Sequence, residues 1–224
     1  MDDIFSFWSG LSEEEARIHP RDKKVFTRLN PSFEHPYFAE PFRGRLQTAP
    51  VVLLFLSPGL HERDLSVSAQ EPTYYSQQRE GHCDLPMECE HQTARIWGGK
   101  IVKQFGVDYE TARSKIAVLN ISPYRSKEFD DWHLLAALPS ARVTLGWAQS
   151  VLFREAEEGK RIVVCLRSSG GLGPTTKFGK SLYAPKCTRG GMMLLGDDRD
   201  KIVSAVETGY PLEPKSRLVW PACL

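Results

Sequence analysis

A three-layer α/β/α sandwich around a central, mostly parallel four-stranded sheet is the fold this sequence predicts, and three observations carry it. The runs at 51–56 (Val-Val-Leu-Leu-Phe-Leu) and 116–119 (Ile-Ala-Val-Leu) are unbroken apolar stretches rich in β-branched residues. Strands buried on both faces of a parallel sheet have this composition. A third such run lies at 162–166 (Ile-Val-Val-Cys-Leu), and helical patterns separate the three. Each run also ends in a polar turn carrying Pro or Gly, and ligands of parallel sheets bind just beyond the carboxyl ends of the strands. Alternating strands and helices of this kind need right-handed crossovers.

The elements follow in order. Phe5-Ser6-Phe7-Trp8 reads as an aromatic clamp onto the core, and Ser12 with Glu15 forms a capping box that opens a short helix. Pro31, Pro36, Pro41, Gly44 and Pro50 mark residues 30–50 as an ordered surface connection. After the strand at 51–56, residues 57–92 are polar and irregular, long enough to be a functional insertion. A helix over 93–105, weakened by Gly98-Gly99, and a short one over 109–115 lead to the strand at 116–119. Ser140 is placed to cap a helix carrying Val143, Trp147, Val151 and Leu152 and ending at Gly159. After the strand at 162–166, a fourth strand at 192–195 and a helix over 198–208 complete the chain. The division expected is a single domain over 1–224: an N-terminal arm at 1–40, the polar insertion, and a core from about 40 to 210.

Composition narrows the class. The 224 residues suffice for one well-buried domain, and 41% hydrophobic with 25% charged residues is globular rather than disordered. No apolar run approaches the roughly 18 residues a membrane span needs, so no membrane partner is expected. Met1-Asp2-Asp3 has no basic region of a secretion signal. Cys83, Cys89, Cys165, Cys187 and Cys223 are odd in number and scattered, as reduced thiols of a cytoplasmic protein would be. A monomer without cofactor is expected. The net charge of +1 hides an asymmetry: Lys160, Arg161, Arg167, Lys177, Lys180, Lys186 and Arg189 occur with no Asp or Glu between Glu158 and Asp197. Such a stretch is either a polyanion-binding face or a solvated surface, and its glycines and hydroxyls favour nucleic acid.

Three corners carry the chemistry. Ser57-Pro58-Gly59 lets the backbone approach a ligand closely; Ser57 is placed to hold a water, and Asp64, His61 or Glu62 to polarise it. The same tripeptide is also ordinary turn chemistry. In Asn120-Ile121-Ser122-Pro123-Tyr124, the amide matches a pyrimidine edge and Tyr124 can stack on a base, although Asn beside Pro often satisfies its own turn. After the third strand, Ser168, Ser169, Gly170, Gly171, Leu172 and Gly173 offer successive N–H groups to an anion, and Arg167 can stabilise a departing negative charge. No Gly-Lys-Ser/Thr follows, so this is no P-loop. His82-Cys83 with Cys89-x-His91 matches no common zinc spacing, so no metal is assigned.

In their order and placement the three corners resemble the uracil-DNA glycosylase superfamily over roughly residues 40–195. Leu56-Ser57-Pro58-Gly59 is similar to the Asn-Pro-Gly form of its mismatch-specific and single-strand-selective branches. Leu119-Asn120-x-Ser122-Pro123-Tyr124 is similar to the strand whose Asn reads the flipped base, and Arg167-Ser168-Ser169 stands where the family has His-Pro-Ser. Two departures are chemical: Ser57 replaces the water-activating Asp or Asn, and Arg167 replaces the His and cannot shuttle a proton.

The resemblance implies a monofunctional DNA glycosylase that flips out a modified pyrimidine and leaves an abasic site. Ser57, Asn120, Arg167 and Asp64 would be catalytic; Asn120, Tyr124, Ser57, Pro58, Gly59 and Tyr75 would hold the base. Ser168, Ser169, Gly170, Gly171, Leu172, Arg125, Lys177 and Lys180 would contact DNA, with Leu172 as a wedge. Superfamily offshoots resembling this chain excise hypermodified phage bases such as glucosylated hydroxymethylcytosine in antiviral defence, which fits the altered corners and the insertion. The alternatives are a non-catalytic reader of modified or abasic DNA, a classical uracil-type repair glycosylase, and a nucleoside or nucleotide hydrolase.

Overall fold

The structure, a computed structural model, describes residues 3–29, 35–60, 72–87, 92–125, 132–166, 177–178, 180–188 and 190–209. Its elements are α1 (Ile4–Trp8), α2 (Pro20–Leu29), β1 (Phe42–Arg43), β2 (Val51–Phe55), α3 (Pro72–Gln78), α4 (Gln92–Lys103), α5 (Tyr109–Ala112), β3 (Ile116–Asn120), α6 (Trp132–Ala137) and α7 (Pro139–Trp147). The last runs through a π-helical segment (Ala148–Phe153) into α8 (Arg154–Glu158), followed by β4 (Ile162–Cys165), β5 (Lys177–Phe178), β6 (Leu182–Tyr183) and α9 (Asp197–Gly209).

The fold is mixed α/β. One sheet has the order β1-β3-β2-β4-β6-β5; β3, β2, β4 and β6 run parallel, and β1 and β5 pair antiparallel at the two edges. The sheet therefore has six strands where four were expected, because two short edge strands flank four parallel ones. Alternation along β2 divides the core. Val52 and Leu54 join Phe7, Trp8, Phe26, Trp147 and Leu152 on one face, whereas Val51, Leu53 and Phe55 join Ile101, Phe105, Tyr109, Ile202 and Val206 on the other. Helices thus cover both faces, which is why the central strands read as unbroken apolar runs. Burying each such side chain contributes roughly 1.5–3 kcal/mol.

Several expected elements shift. The fourth parallel strand is Leu182–Tyr183, not 192–195; there Met193 makes a single bridge with Cys187, and Leu194 and Leu195 are exposed. Two residues are too few to display a period. The Ser12–Glu15 box closes, with Glu15 N donating to Ser12 Oγ at 3.3 Å and Ser12 N to Glu15 Oε2 at 2.9 Å, yet 13–17 form only turns. The first helix is the aromatic clamp itself. Over 35–50 the connection is largely buried rather than superficial, contributing Phe38, Phe42 and Leu46 to the interior. Gly44 permits this: at φ +80°, a Cβ there would sit 2.7 Å from the Ile116 carbonyl oxygen. Gly159 ends α8 at φ +78°, the left-handed cap expected.

Ser140 is not the cap of α7. Pro139 opens the helix after Leu138, which makes no side-chain cap. The free N–H of Ser140 instead donates to Asp22 Oδ1 of α2 at 3.0 Å, so a carboxylate from another helix sits at the positive end of the dipole.

Candidate functional site

Strand order reverses around β2, since β3 lies to one side of it and β4 to the other. A reversal of this kind opens a crevice at the carboxyl ends of the strands. The Ser57-Pro58-Gly59 corner leaves β2 at this point, and β4 ends beside it, with Leu166 N donating to Leu54 O at 2.7 Å.

The first two corners lie side by side. Phe55 pairs with Asn120 in register, and the ladder continues past the strands as Ile121 N donates to Phe55 O (2.9 Å) and Ser122 N to Leu56 O (2.8 Å). Ser57 is half-buried and Gly59 exposed, and among the described residues no atom lies within 4 Å of a Cβ built on Gly59.

Behind the corners lies an ion triad that the sequence reading missed. Glu40 is 2% exposed; its Oε1 pairs with Arg43 Nε, and its Oε2 accepts from Arg125 Nη2 at 2.8 Å. Arg125 also donates from Nη1 to Gly59 O at 3.2 Å and from Nη2 to Tyr75 Oη at 3.4 Å. One guanidinium thus ties the Gly59 turn, the insertion helix α3 and the Glu40 segment together. The arginine expected to meet DNA is a buried brace of the corner. Its signal in the sequence was a Glu and an Arg three apart inside the apolar, Pro-framed stretch 37–43.

Asn120 is 4% exposed, and its Nδ2 donates to the Glu40 carbonyl at 2.8 Å. Tyr124 is 6% exposed. Its hydroxyl donates to Asp22 Oδ2 at 2.6 Å and accepts from His19 N at 3.3 Å, while its ring meets Phe26 and His35 edge-on. Burial, reinforced by the Asp22 charge, pushes the Tyr124 phenol well above its ordinary value. Tyr75 is stacked on Phe38 at 5.1 Å. Asn120, Tyr124 and Tyr75 are therefore all buried, each with a polar group engaged inside the protein.

Two histidines flank this region. Burial holds the His35 imidazole below the usual histidine range, against its hydrogen bond to Tyr37 O. His19 is lowered likewise, mainly by burial; it lies flat on Phe7 at 3.8 Å, and its Nδ1 accepts from Arg21 N, so Nε2 carries the proton toward Phe7 O.

Of the basic stretch, Lys160 pairs with Glu158 at 2.6 Å. Arg161 is spent on Glu155 at 3.1 Å and on the carbonyls of Leu46 and Gln47. Lys180 and Lys186 are exposed. Asp64, Arg167, Ser168, Ser169, Gly170, Gly171 and Leu172 lie outside the described residues, as do Cys89, His91, Arg189 and the Lys177 side chain. Among the described residues, no helix is long and apolar enough to cross a membrane. Comparison with known protein families, with curated proteins and with solved structures finds no match to this chain.

Proposed function

We propose that this chain is a DNA N-glycosylase, a divergent member of the uracil-DNA glycosylase superfamily that excises a modified pyrimidine, with hypermodified phage bases as the substrate class. The observation that carries this reading is the adjacency of the Ser57-Pro58-Gly59 and Asn120–Tyr124 corners at the carboxyl ends of neighbouring parallel strands, joined by two further main-chain hydrogen bonds. Helices on both faces of a sheet with four parallel strands suit the three-layer sandwich of that superfamily. The Arg125–Gly59 hydrogen bond keeps the turn rigid, as a preorganised site needs. Base release gives an oxocarbenium-like sugar and an anionic base. Arg167, next in sequence after Leu166, would stabilise the latter without moving a proton.

A second reading, a non-catalytic reader of modified or abasic DNA, is favoured by one specific observation. The Asn120 amide donates to the Glu40 carbonyl, and Ser57 offers a hydroxyl where a general base is wanted. Both readings require DNA. Duplex affinity measured against salt is expected to give a log–log slope of about −2 to −4, two to four neutralised phosphates at roughly −0.9 each. Lys180→Ala should reduce that slope by about 1. Affinity that does not change with salt contradicts both readings.

A further inference from the structure

A cavity of about 500 Å³ opens between α1 and the end of α3. None of Ser57, Asn120 or Tyr124 lines it. Its walls include Phe5, Trp8 and Ser76, with Arg79 behind them and the exposed Glu80 and His82 among the other lining residues. Volumes of this size suit small-molecule ligands.

The chemistry of the wall is unusual. Arg79 is 8% exposed, and its Nη1 is buried with no hydrogen-bond partner among the described residues. Among the described residues no carboxylate pairs with it, neighbouring Glu80 included. Trp8 is 1% exposed, and its Nε1 is likewise buried without an acceptor among the described residues. Both residues line the same cavity. Burial alone lowers the Arg79 guanidinium to about 10, so it stays charged at neutral pH. An unpaired buried cation costs several kcal/mol, and native interiors seldom carry one without a counter-group.

We propose that this cavity is a binding site for a small oxyanion ligand, a carboxylate or phosphate head on a compact apolar body. The head would pair with the guanidinium of Arg79, whose Nη1 finds no acceptor among the described residues, and the body would lie along Phe5 and Trp8. Arginine suits this role because its planar fork matches both oxyanions. Glu80 and His82 add one negative and one titratable group to the lining, so the favourable charge on the head comes from Arg79. This site is independent of the strand-end corners and does not rest on DNA chemistry.

The test is titration of the full chain with inorganic phosphate and, separately, with benzoate, following the Trp8 indole N–H resonance, which is assigned by its loss in Trp8→Phe. At least one probe should shift that resonance saturably below about 10 mM, an affinity within reach of so small a ligand. Phosphate alone identifies a phosphate site, and benzoate alone a carboxylate site. Arg79→Met should weaken binding at least about tenfold, the loss of one charge-assisted hydrogen bond. Its melting temperature should not fall, because a buried unpaired charge is removed. Arg79→Lys keeps the charge, loses the fork, and should weaken binding by a smaller factor. Absence of saturable shifts with both probes, or binding unaltered in both Arg79 variants, overturns the proposal.

Discussion

Glu40→Gln should destabilise the protein by about 3–5 kcal/mol, the cost of leaving a buried charge uncompensated. Two guanidiniums share this one buried carboxylate, so its neutralisation leaves two buried cations without the charge they share. For a chain of this length the loss corresponds to a fall in melting temperature of about 10 °C. Denaturant unfolding of the variant measures it. Adding Arg43→Met to Glu40→Gln should recover part of the loss, because one of the two buried cations is then gone; a double-mutant cycle isolates that coupling. Loss of less than about 1 kcal/mol in the single variant would mean that the triad is solvated. The same carboxylate fixes Arg125, and through it the Gly59 turn, so damage here reaches the corner as well as the core.

Asp22→Ala should cost about 3–5 kcal/mol. The side chain is 0% exposed and serves two donors, the Ser140 N–H at the start of α7 and the Tyr124 hydroxyl. Hydrogen bonds to a charged acceptor contribute about 1.5–3 kcal/mol each, and the helix also loses its cap. Tyr124→Phe removes only one of the two donors and no charge, and should cost about half as much. Equal losses in the two variants would show that the cap on α7 contributes nothing. Thermal unfolding of both proteins makes the comparison.

The parts of the fold legible in sequence are those governed by local composition. The strands at 51–56, 116–119 and 162–166 announce themselves because both faces of β2, β3 and β4 are covered. Gly159 does so because α8 ends in a left-handed residue. Illegible were the two-residue strands β1, β5 and β6, too short for periodicity, and α2, whose Pro20 start follows no Ser/Thr/Asp/Asn cap. Ser140 looked like a cap because its residue type suits one, but Asp22 reaches in across 118 positions, a distance that spacing rules cannot see. The corners show the same division. Motif and strand end located Ser57 and Asn120, whereas the Glu40 carbonyl that takes up the Asn120 amide, and the triad that braces Gly59, depend on tertiary pairing alone. Tyr124 and Tyr75 were read as aromatic surfaces for a base; packing turns both inward, where their hydroxyls meet Asp22 and Arg125.

Base release by the purified protein, with abasic-site formation as the readout, bears most directly on the proposed chemistry. The substrates would be DNA carrying uracil, hydroxymethyluracil, hydroxymethylcytosine or glucosylated hydroxymethylcytosine, beside unmodified DNA. Glycosylase chemistry predicts abasic sites in one modified DNA and none in the unmodified control, and the substrate that yields them names the base. Absence of abasic sites across the whole panel, with salt-sensitive DNA binding intact, would contradict catalysis and leave the reader of modified DNA in its place.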